Sequence, residues 1–148
     1  MLSADEFARV RVLGANAAAK GVATQRLVKG CGGIGGLSAL LAAAGTPVAA
    51  KEQAAWALAN LAWGSVDRAA LITELGAVPP LVALLADAEP RARENAAAAL
   101  HNLAWGSSEI AAVIVAAATA SAGAVPDLAA MRADGSIAAS AVLQLLGL

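Results

Sequence analysis

Tyrosine is absent from this 148-residue chain, and cysteine, histidine and phenylalanine occur once each. These absences exclude a good deal. With aromatic residues at 3%, a core cannot be filled by large rings; it must come from close packing of small side chains. The lone Cys31 allows neither an intrachain disulfide nor a multi-cysteine zinc site, which suits a reducing compartment. Charged residues make up 14% and nearly cancel, leaving a net charge of −1. No basic block points to nucleic acid, and no acidic tail points to a charge-driven partner. The opening MLSADEFARVRV has no apolar signal core, and there is neither a Met-Gly start for myristoylation nor a C-terminal prenylation box. A cytoplasmic or nuclear location is therefore expected.

Long apolar runs are also scarce. Gly30–Ala50 and Ile110–Pro126 carry no charge, and a membrane-associated helical protein is the reading they would favour. The first is interrupted by glycines and Pro47. The second is mostly alanine and barely approaches the ~20 residues a spanning helix needs. Membrane insertion is not expected.

What is present is alanine and leucine, both strong helix formers, within a 59% hydrophobic composition. Valine, isoleucine and threonine are too scattered for a sheet. Glu52–Ser65 reads EQAAWALANLAWGS and Glu94–Ser107 reads ENAAAALHNLAWGS, with 11 of 14 positions identical at an offset of 42. A period of ~40–47 residues is the mark of a helical solenoid, in which stacked units offer an extended surface to other proteins.

Each unit reads as three helices. The clearest has a first helix at about Val66–Leu75 that ends at Gly76, a left-handed cap. A second starts near Val78 with Pro79 and Pro80 in its first turn, and Leu81, Leu84 and Leu85 form its apolar stripe. A turn at Asp87–Pro90 leads into a third helix, about Arg91–Trp105. The same grammar places Leu37, Leu40 and Leu41 in the preceding unit, before a turn at Gly45-Thr46-Pro47. In the following unit it places Leu128 and Met131 before a turn at Asp134-Gly135. The division is a partial unit at 1–20 and whole units at 21–64, 65–106 and 107–148, the last degenerate.

A short helix, a glycine bend, a Leu-rich helix and a longer helix ending A-L-x-N-L-A resembles the armadillo repeat. GAVPPLVALLADAEPRARENAAAALHNLAWGS follows that pattern almost position by position, and AAWALANLAWGS looks like a third helix of importin α, where a Trp precedes the ladder Asn by four residues. The resemblance covers about Gly21–Leu148. It implies an all-α, right-handed α-solenoid whose third helices line a concave groove for extended peptide segments of a protein partner.

Carried onto this chain, the ladder falls on Asn60 and Asn102. Asn16 lies in register 44 residues upstream of Asn60, and Gln144 lies 42 downstream of Asn102, with Leu145 the alternative there. A carboxamide carries one acceptor and two donors, so it can bond an extended backbone without reading its side chains. Trp56 lies one turn before Asn60 and could wall a slot for an aliphatic or cationic side chain; packing between repeats is its other role. Gln53 and Asn95 share the ladder face seven residues earlier, and His101 is a polar residue at the groove edge. Two or three rungs give roughly 2–9 kcal/mol of hydrogen bonding before ordering costs, and micromolar binding needs about 8 kcal/mol. The ladder alone is therefore a weak binder.

The narrower expectation is a nuclear-import adaptor for basic signal peptides. Trp63 and Trp105 are expected to pack under the bend between repeats. Gly30, Gly32 and Gly35 spell G-x-G-x-x-G, but between helices rather than after a strand, so they imply no nucleotide site. No nucleophile–base or carboxylate pair recurs. The expectation is a non-enzyme with no cofactor and no metal. The ends, including Leu145-Leu146-Gly147-Leu148, lack the polar faces that terminal repeats need, which predicts further repeats or end-to-end self-association.

Overall fold

The computed structural model describes residues 33–63 and 65–148, and among these the chain forms eight α-helices and no strand. Helix α1 is Ile34–Ala42, α2 Val48–Ala62, α3 Val66–Glu74, α4 Val78–Leu84, α5 Pro90–Ala104, α6 Ser108–Ala120, α7 Ala124–Ala133 and α8 Ile137–Leu145. The first two are the second and third helices of one unit. The next six are two full sets of three.

Local chemistry sets most boundaries. Ser65 caps α3, its hydroxyl accepting the Arg68 N–H at 3.2 Å. Ser107 does the same for α6 by accepting from Ile110 at 3.2 Å. Each cap satisfies an orphan first-turn donor, and Asp67 and Glu109 add negative charge at those positive helix ends. Helix α3 closes on Gly76 at φ +82°. The Gly76 N–H bonds the Thr73 carbonyl and the Ala77 N–H bonds that of Ile72, the paired closure that a left-handed residue permits. Pro79 and Pro80 sit in the first turn of α4, and Pro90 opens α5, where a missing N–H costs nothing.

The largest interface joins α2 to α5, and α8 packs on the far side of α5. The third helices of successive units thus lie side by side. Alanine fills the inward faces of both: Ala54, Ala55 and Ala57 on α2 and Ala96, Ala97 and Ala99 on α5 are all fully buried. The leucines of the second helices fill the layer behind. Leu37, Leu40 and Leu41, then Leu81, Leu84 and Leu85, then Leu128 with Met131 are all buried, at the positions the apolar stripes predict.

Two details differ from the sequence reading. The long third helix of the central unit begins at Pro90 and ends at Ala104, so Trp105 is a cap with ψ 122° rather than a helical residue. Trp63 caps α2 in the same way, with ψ 120°. No single helix among the described residues is long and apolar enough to cross a membrane. The pair α6 and α7 passes a length and composition test only together, and is bent by 102°. Asn16, Cys31, Gly30, Gly32 and the helix expected before residue 21 lie outside the described residues.

Candidate functional site: the face of the third helices

Helices α2 and α5 run fifteen residues each, and residues four and seven apart fall on one face. On α2 that face carries Gln53, Trp56 and Asn60; on α5 it carries Asn95, Ala98 and Asn102. All six are half-buried. The interface between the two helices places them in adjacent rows.

The amides do more than face outward. The Asn102 Nδ2 donates to the Ala59 carbonyl at 2.8 Å, and the Asn95 Nδ2 donates to the Glu52 carbonyl at 3.2 Å. Both bonds reach back 43 residues, from one third helix to the previous one. The Ala59 carbonyl also accepts the Trp63 N–H of its own helix at 3.2 Å, so both of its lone pairs are used. These two stitches, two turns apart, fix the axial register of α5 on α2. Each leaves the amide oxygen and a second N–H for another partner. The sequence reading assigned these residues to a ligand and missed the stitch. The shared spacing of Glu52 with Glu94 and of Ala59 with His101 gives no hint that the carbonyls are acceptors.

Asn60 is also engaged in an interaction of its own. The Gln53 Oε1 is buried without a hydrogen-bond partner. The Trp56 ring packs on the apolar core with part of its surface open. His101 is half-buried in the last turn of α5, beside Asn102. Asn16 is outside the described residues. The row weakens toward α8: Ile137 takes the Asn95 position at 85% exposed, and Gln144 takes the Asn102 position as an exposed residue.

The start of the same helices is tied by charge. Glu52 is only 8% exposed and its Oε1 lies 3.9 Å from the Arg91 Nε. One unit on, the equivalent Glu94 accepts from the Ser136 hydroxyl at 2.6 Å. Beside Glu94 is an open cleft of about 390 Å³ lined by Pro90, Arg93, Met131, Asp134, Gly135, Ser136 and Ile137 as well. Its Arg93 is spent on the Asp87 and Ala88 carbonyls. Among the described residues no group of three His, Cys, Asp or Glu could hold a metal ion.

Trp63 and Trp105 do not pack under the bend. They are 63% and 59% exposed and lie against each other across the unit boundary, with ring centroids 6.3 Å apart and planes tilted by 32°. Extended backbone at each helix cap turns the side chain off the core.

Residues 65–105 match the family model of the armadillo/beta-catenin-like repeat. A designed armadillo repeat protein is 31% identical over 84% of this chain, with a TM-score of 0.66. In repeat pattern and in fold the chain is of the armadillo type. A second designed armadillo repeat protein, solved in complex with peptide (KR)4, is 29% identical over 84% of the chain with a TM-score of 0.64. A computationally designed armadillo repeat protein for modular peptide recognition is 28% identical over 92% with a TM-score of 0.67. The chain spans about half the length of these relatives, 50%, 50% and 54% in turn. Among curated proteins none matches it significantly. The fold is thus an all-α, right-handed solenoid of armadillo-type three-helix units, and the rows on α2 and α5 lie on the third helices of an armadillo scaffold.

Proposed function

We propose that this armadillo segment is a non-catalytic scaffold that binds an extended segment of a partner protein along α2 and α5. The observation that carries the reading is the pair of cross-stitched amides. Asn95 and Asn102 are held in fixed orientation by carbonyls of the neighbouring helix, and each retains an acceptor and a donor. A peptide backbone in extended form offers a complementary pair about every second residue, at ~3.3 Å per residue. Neighbouring helices ~8–10 Å apart would then meet it every two to three residues. The stitch reduces the ordering cost, because these amides are already positioned before a partner arrives.

Fluorescence anisotropy with labelled peptides of matched length tests this. Wild type is expected to bind an extended peptide in the micromolar range or weaker. The variant Asn60→Ala/Asn102→Ala is expected to lose about tenfold in affinity while still unfolding cooperatively. Equal affinity in wild type and variant would overturn the reading. Affinity capture with the same pair then identifies the natural partner.

A second reading, an import adaptor for basic signals, is favoured by Trp56 one turn before Asn60 and by the relative solved with an alternating Lys/Arg peptide. It predicts that Trp56→Ala weakens a Lys/Arg peptide and leaves a neutral one unchanged. A location in the cytoplasm or nucleus belongs to the same proposal.

A further inference from the structure

The exposed indoles of Trp63 and Trp105 form a second surface, off the amide rows. Each follows a third helix, and each is followed four residues later by an exposed carboxylate: Asp67 after Trp63 and Glu109 after Trp105. These acids occupy the first turns of α3 and α6. The two sets belong to one patch. Val66, itself 48% exposed, lies so close to Gly106 that a Cβ there would meet its Cγ2 at 3.4 Å, next to Trp105. Arg68, the cation of this neighbourhood, has its Nε bound to the Leu61 carbonyl at 2.6 Å. That bond ties its Nε–H to the end of α2.

Two indoles of this size would bury 150–250 Å² each in a core; here each lies against the other and stays mostly exposed. Their faces carry negative electrostatic potential, and the carboxylates beside them add more. Acidic partners are disfavoured by that charge. Lysine would satisfy the charge as a compact, strongly hydrated point. A guanidinium is planar and more weakly hydrated, so it can lie flat on an indole while its edge makes paired hydrogen bonds to a carboxylate. We propose that the Trp63–Trp105 face, with Asp67 and Glu109, is a docking site for arginine side chains of a partner polypeptide, distinct from the amide rows.

The test follows the indole N–H and Asn side-chain resonances during titration with an eight-residue alternating Ala/Arg peptide. Ala/Lys and Ala/Glu peptides of the same length are the comparisons. The Ala/Arg peptide is expected to shift the indole signals of Trp63 and Trp105, with the Ala/Lys peptide about threefold or more weaker and the Ala/Glu peptide silent. Trp63→Ala/Trp105→Ala should weaken Ala/Arg binding about tenfold. Asp67→Asn/Glu109→Gln, which leaves the rings in place, should weaken it less and flatten its salt dependence. Shifts confined to Trp56 and the Asn amides would overturn this site and leave the groove reading intact. Movement of the two indoles with still amides would support it without the groove. Equal Lys and Arg affinity, unchanged binding by the double Trp variant, or no binding of the Ala/Arg peptide would each overturn it.

Discussion

Asn102 shows how one side chain can serve packing and recognition together. Its 2.8 Å bond to the Ala59 carbonyl spans two units, so its loss is felt before any partner is added. Asn102→Ala is expected to cost about 1 kcal/mol of stability, read as a lower urea midpoint at unchanged slope. Asn95→Ala, with its longer bond, should cost less. Gly76 makes a second case. At φ +82°, with nothing within 4 Å of where a Cβ would sit, Gly76→Ala meets no neighbouring residue, but its Cβ crowds its own carbonyl in this left-handed conformation. About 1–2 kcal/mol is expected from thermal unfolding, with Gly76→Asn less damaging because Asn tolerates this conformation. The glycine caps could be read from sequence, since only a few residue types end a helix this way. The stitch could not: an amide at a given helical position bonds a ligand or a neighbouring helix equally well, and only coordinates tell which carbonyl faces it.

Small side chains keep the interior around α5 tight. With Ala97 fully buried, Ala97→Leu has to displace its neighbours or force strained rotamers. The expected cost is about 1–3 kcal/mol, read as a lower urea midpoint. The helices themselves were legible, because proline at first turns, serine caps and Leu at i, i+3, i+4 all act locally. The tryptophans at 63 and 105 were misplaced for a physical reason. A large apolar residue is expected inside, but extended backbone at the cap position directs it outward regardless of its hydrophobicity.

A solenoid is stabilised unit by unit through neighbouring interfaces, so an uneven stack opens unevenly. α8 has nine residues against fifteen in α5, and Ile137 and Gln144 stand where Asn95 and Asn102 make their stitches. Hydrogen exchange is expected to show α8 opening at lower free energy than α5, with amides exchanging at least about tenfold faster. Ser136 holds two links at once, capping α8 through the Ala139 N–H and bonding Glu94. Ser136→Ala should cost about 1 kcal/mol and speed exchange in α8 while leaving α2 unaffected. The spacing of 42 made the stack visible; the degeneracy of the last unit was visible only as poor alignment, since weak packing has no motif.

The indole pair has an optical consequence. Two chromophores at 6.3 Å and 32° couple electronically, and here each is bolted to a different turn of the coil. Their exciton band in circular dichroism is therefore a native gauge of superhelical pitch, able to register a flexing of the array without any attached label.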